Sequence, residues 1–166
     1  MNKIILVITC LVILSNSSLA FAAPDKIYLF RHSEKLTGKN PALSEVGKTR
    51  ANNLVTFFKE YQNIHIFSSN YKRTLQTVAP LQAYFNTDVN VYNAGELSDL
   101  KKELLKLKGV VVVIGHSNTT PQLAELLSNE KVSAMSETQF TQYFILNKKP
   151  RSNGSEYDLT HHKMSF

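Results

Sequence analysis

The sequence predicts an α/β protein, a three-layer α/β/α sandwich with a mostly parallel central sheet. Three observations carry that expectation. Short, β-prone apolar runs alternate with longer stretches of helical periodicity. Their order reads βαβαβαβαββ, which implies parallel strands joined by helices that cover the sheet. Two of the apolar runs stop abruptly at polar groups, Ile27–Phe30 at Arg31-His32 and Val110–Ile114 at Gly115-His116. In open α/β sheets, ligands bind outside the carboxyl ends of the strands.

Each element has a local reason. After the first strand, Gly38 and Pro41 punctuate a polar loop, and Ser44 is a good N-cap for a helix reaching about Tyr61, with Leu54, Phe57 and Phe58 at helical spacing. A second strand covers Ile64–Phe67, and Ser68-Ser69-Asn70 separates it from a helix over about Lys72 to Phe85. Val89–Tyr92 is a short strand, and a charged helix from Ser98 to Lys108 leads through Gly109 into the strand 110–114. Pro121 suits the first turn of the next helix, which continues through Leu123, Leu126 and Leu127. Phe140–Leu146 and Tyr157–Phe166 close the chain as strands around the turn-rich Lys148–Gly154. There are no internal repeats.

The first 22 of the 166 residues combine Lys3, an apolar core from Ile4 to Leu14, and small residues at Ala20 and Ala22. That is the pattern of a secretory signal peptide cut after Ala22. Ser15–Ser18 interrupts the apolar run well short of the roughly 20 residues a spanning helix needs. About 144 residues then remain, 23–166, enough for one domain. The only cysteine, Cys10, lies in the segment to be removed. The mature chain is thereby denied thiol nucleophiles, disulfides and thiolate metal sites, and a periplasmic or secreted location is expected.

The formal charge is +6, and loss of Lys3 takes it to +5. Such a surface favours anionic substrates, or an anionic membrane face, by steering. The lysines are scattered, however, and no aromatic-basic ribbon of the kind that binds single-stranded nucleic acid is visible, so no nucleic-acid partner is expected. His65 lies between Ile64 and Ile66 and reads as a structural strand residue. The adjacent pair His161-His162 points to opposite faces of a strand and cannot readily share a metal ion. No metal or cofactor is expected.

The chemistry concentrates at three strand ends. Arg31-His32, the Ser68–Arg73 turn and Gly115-His116-Ser117-Asn118 offer two arginines and two imidazoles, and the last two segments precede helices whose free N–H groups favour anions. That is a site for a dianion, with phosphate the obvious candidate. Gly-His-Ser by itself also suggests a serine nucleophile elbow, but the glycine required two residues after the serine is Thr119.

These motifs resemble the histidine phosphatase superfamily, also called phosphoglycerate-mutase-like. Its Arg-His-Gly tripeptide corresponds to Arg31-His32-Ser33, its second segment to Ser68 through Arg73-Thr74-Leu75-Gln76-Thr77, and its later Gly-His to Gly115-His116. The helix entry Leu43-Ser44-Glu45-Val46-Gly47 is similar too, and the likeness spans residues 26 to about 146. The resemblance implies that His32 attacks phosphorus in line to give a phosphohistidine that water hydrolyses, without metal. It implies that Arg31, Arg73 and a protonated His116 bind the phosphoryl oxygens. It places a proton donor either at position 117, where this chain has Ser117, or after the second motif, where Glu96 stands; Glu34 and Asp99 are rivals. Ser33 replaces a glycine, and Gly38 stands where many members have asparagine. A small phosphomonoester is the expected substrate. The competing readings are an inactive phosphate-binding module of the same fold and a phosphoprotein (phosphohistidine) phosphatase.

Overall fold

The computed structural model describes residues 23–150 and 157–166. The expected signal peptide, residues 1–22, lies outside the described residues, as does part of the turn before the last strand. The elements run β1 (Lys26–Arg31), α1 (Glu45–Leu54), β2 (His65–Ser69), α2 (Lys72–Phe85), β3 (Val89–Tyr92), α3 (Leu97–Leu104), β4 (Val110–Gly115), α4 (Thr119–Ser128), β5 (Gln142–Lys148) and β6 (Tyr157–Lys163). This is the predicted order. The main differences are at helix ends: α1 stops at Leu54 and tightens into a 3-10 turn over Val55–Phe57, and α3 stops at Leu104, four residues short of Lys108.

The six strands form one sheet in the order β3-β2-β4-β1-β5-β6. The first four are parallel, β5 is antiparallel to its neighbour β1, and β6 at the edge is antiparallel to β5. The sheet is covered on both faces, as the continuous apolar runs Ile27–Phe30 of β1 and Val110–Ile114 of β4 require. In β1, Ile27 and Leu29 belong to one core and Tyr28 and Phe30 to the other; in β4, Val111 and Val113 oppose Val110, Val112 and Ile114. Strand side chains alternate between faces, so a continuous apolar run feeds two cores. One is closed by Leu100 and Leu104 of α3 with Leu123 and Leu127 of α4, and the other by Leu54 of α1 with Val78 and Leu81 of α2.

This layering fixes the location of the site. The connection leaving β1 passes through α1 on one face, while the connection leaving neighbouring β4 passes through α4 on the other. The carboxyl ends of β1 and β4 therefore flank a crevice at the topological switch point. In register, Arg31 pairs with Gly115, and the His32 N–H donates to the Gly115 carbonyl at 3.0 Å.

Candidate active site

Two glycines let the strand ends come together. An added Cβ at Gly115 would lie 2.9 Å from both the Thr119 and Thr120 hydroxyl oxygens, and at Gly47 it would lie 2.0 Å from the Glu34 carbonyl oxygen. Gly47 thus allows the start of α1 to sit directly on the loop that follows His32. Ser44, the expected N-cap, takes the Gly47 N–H on its side chain, and its own N–H donates to the Glu34 carbonyl at 2.9 Å. At the start of α2, the Lys72 N–H is capped by the Asn40 side-chain carbonyl, 3.0 Å away across the chain.

His32, Lys35, Tyr71, Arg73, His116, Ser117 and Glu137 share the wall of one cleft of about 530 Å³. The His32 and His116 rings are 5.5 Å apart between centroids. Nδ1 of His32 lies 2.7 Å from the Ser33 carbonyl. A carbonyl only accepts, so Nδ1 carries the proton and Nε2 keeps its lone pair. Burial, aided by the nearby Arg31, Arg73 and His116, pushes the His32 pKa down to about 3. The imidazole is neutral across the physiological range, with the Nε2 lone pair free.

Ser33 is buried, and its N–H donates to the Thr77 hydroxyl at 3.0 Å; that hydroxyl donates to the Arg73 carbonyl at 2.7 Å. The two motifs are thereby braced against each other, and the side chain that replaces glycine is accommodated.

His116 is held at both ring nitrogens in the free cleft. Arg73 donates to its Nδ1 at 3.1 Å, and its Nε2 lies 2.8 Å from the Ser69 hydroxyl, which donates in turn to Thr74. The chain of donors makes His116 a neutral Nε2–H tautomer, and burial together with Arg73 and Arg31 lowers its pKa to about 4. In the free cleft His116 is thus a neutral ring with both nitrogens engaged, where two guanidinium groups supply the local positive charge; the protonated donor expected from the resemblance is one that stands beside a bound dianion.

Arg31 is also more constrained than its motif implied. Its side chain is fully buried over Phe140, with the guanidinium carbon 4.1 Å from the ring centroid. Nη1 donates to the Ser136 carbonyl at 2.8 Å, and Nη2 to the Glu137 carbonyl at 3.0 Å and to a Glu137 carboxylate oxygen at 3.1 Å. Arg73 is half-buried against Tyr71. Among the described residues, Nε of Arg31 and Nε of Arg73 are the buried side-chain polar atoms without a partner. Unpaired buried N–H groups are rare and costly, and an anion would satisfy them.

The acid candidates separate clearly. Glu96, the donor position after the second motif, is exposed at the N-cap of α3; Leu97 faces the core, and of this segment Ala94 and Gly95, not Glu96, line the cleft. Glu34 is bound by Arg50 through both carboxylate oxygens, at 2.6 to 3.1 Å, and those bonds outweigh burial to hold its pKa below the ordinary value. Asp99 pairs with Lys102 on the exposed face of α3. Glu137 also lines the cleft, and no motif of the sequence points to it. No spacing rule links residue 137 to Ser117 or Arg31, and residues 129–141 show no helical or strand period.

His65 is exposed at the start of β2, while His161 packs edge-on to Phe144 and His162 stacks on Tyr143. Among the described residues, no three His, Cys, Asp or Glu side chains cluster to hold a metal ion. No described helix is long and apolar enough to cross a membrane.

The histidine phosphatase superfamily (branch 1) matches residues 27–101 of the sequence. No curated protein matches it significantly. Among solved structures, the mycobacterial glucosyl-3-phosphoglycerate phosphatase is similar over 86% of this chain and 100% of its own, at 15% identity and a TM-score of 0.68. The protein histidine phosphatase SixA complexed with tungstate is similar over 83% of this chain and 96% of its own, at 14% identity and a TM-score of 0.61. The complex of the mycobacterial enzyme with inorganic phosphate covers 82% of this chain and 95% of its own, at 14% identity and a TM-score of 0.59. At these identities, the likeness is one of fold.

Proposed function

The chain carries the histidine phosphatase fold, and from that premise we propose that it is an exported, metal-independent phosphomonoesterase that works through a phosphohistidine at His32. One observation carries the reading: the Nδ1–H bond to Ser33 leaves a neutral, proton-free Nε2 on His32 in a cleft lined by Arg73, whose buried Nε–H is unpaired, as is that of Arg31 buried behind the wall. A nucleophile beside unmet anion donors suits phosphoryl transfer. Covalent catalysis splits a difficult displacement into two easier ones, and fixed donors stabilise the charge that spreads over the phosphoryl oxygens. A protein of similar fold is solved in complex with inorganic phosphate, which supports the reading.

Two arginines and helix starts supply the counter-charge, so this mechanism needs no metal. The pattern of residues 1–22 supports export to the periplasm or beyond; protein recovered outside the cytoplasm should begin at Ala23, and an intact Met1 terminus would contradict it. The substrate is then a small extracytoplasmic phosphomonoester.

The deciding experiment is phosphate release from a panel of monoesters by residues 23–166, with and without chelator, alongside H32A. Chelator-insensitive release that vanishes in H32A, with acid-labile label trapped on the unaltered chain alone, is the expected outcome. Wild-type-like release by H32A would end the mechanism. Reaction confined to phosphoproteins would favour a phosphohistidine phosphatase, and binding without turnover an inactive module.

A further inference from the structure

A leaving alkoxide must be protonated, and the walls of the cleft restrict what can do so. His32 is the nucleophile. The single N–H of His116 is committed to Ser69, and Arg73 does not release its proton. Ammonium and phenol groups are weak acids at neutral pH, which disfavours Lys35 and Tyr71. Glu137 remains. Its carboxylate stands between two strand-end groups, with one oxygen 2.5 Å from the Ser117 hydroxyl and the other 3.1 Å from Nη2 of Arg31.

We propose that Glu137 is the general acid and base of the phosphatase reaction, held over the scissile bond by Ser117. This rests on the phosphatase reading above. In the first step, Nε2 of His32 bonds to phosphorus as the ester P–O bond breaks. The leaving oxygen keeps the electron pair and takes the proton from the Glu137 carboxyl. In the second, water oxygen bonds to phosphorus, the N–P electron pair returns to Nε2, and the water proton passes to the Glu137 carboxylate, which restores the starting state.

In the free site, the Ser117 hydrogen bond lowers the Glu137 pKa against partial desolvation, with Arg31, Lys35 and His32 acting in the same direction as Ser117. A bound phosphoryl group sets negative charge against this carboxyl and favours its protonated form, so the acid is charged with its proton when substrate is present. The bland alternative is that Glu137 only anchors Arg31. Arg31 already donates to three backbone carbonyls of residues 136–139, however, and the Glu137 side chain is 76% exposed rather than buried in the pair.

The test compares kcat/KM for an alkyl phosphate and for 4-nitrophenyl phosphate in residues 23–166 and in E137Q. An alkoxide needs a proton to leave and a nitrophenolate does not. The expected result is a fall of about 100-fold or more on the alkyl ester, a fall of less than about threefold on the nitrophenyl ester, and accumulation of phosphohistidine. An equal fall on both esters overturns the proposal in favour of an Arg31 anchor, and no fall on either overturns it outright. Failure of the unaltered chain to form phosphohistidine is a different result: it removes the phosphatase reading, and this inference with it, whatever residue 137 is.

Discussion

Lowering the pH tests the burial of the two cleft histidines directly, and the structure sets the size of the response. An unfolded chain titrates both imidazoles near 6.5, whereas burial brings His32 down to about 3 and His116 to about 4 in the fold. The unfolded state therefore binds protons first. Stability is complete above the unfolded value and is lost as the pH falls from about 6.5 toward 4 and 3. At about pH 5.5 the unfolded imidazoles are mostly charged and the folded ones neutral, so each lowers stability by about 1.4 kcal/mol and the pair by roughly 3 kcal/mol. That is a large share of the roughly 5–15 kcal/mol that holds a domain together. Glu34 and Glu137 also have depressed values, but their contribution is lost below the ordinary carboxylate range, in a separate window. Urea unfolding at about pH 7.5 and about pH 5.5, on the unaltered chain and on an H32N/H116N double variant, measures the difference. The variant should lose less than about 1 kcal/mol over the interval. An equal loss in both proteins would refute the neutral, buried state of the two rings.

Two further outcomes probe the frame and the anion grip. Gly47→Ala places a Cβ 2.0 Å from the Glu34 carbonyl oxygen, a backbone atom that cannot swing aside, and should destabilise the domain by about 1–3 kcal/mol in thermal unfolding; an unchanged midpoint would show that α1 does not rest on that loop. Arg73→Lys keeps the charge but loses the fork and its unpaired Nε–H, so kcat/KM for phosphate release should fall about 100-fold with little change in melting temperature. Activity within about threefold of the unaltered chain would remove Arg73 from the anion site.

The layers and the three strand-end motifs are legible in the residues alone, because both are local. The five-residue apolar run Val110–Ile114, bounded by Gly109 and Gly115, reads as a strand covered on both faces, and Arg31-His32 and Gly115-His116 are contiguous in the chain. How those groups are used depends on packing. That Arg31 spends its Nη groups on residues 136–139, that His116 is neutral between Arg73 and Ser69, and that Glu96 faces solvent all depend on partners distant in sequence. Glu137 was invisible for the same reason. It lies in a stretch with no period and reaches the cleft only because the chain between α4 and β5 folds back across the ends of β1 and β4, so its chemistry is a property of the packing and not of any motif.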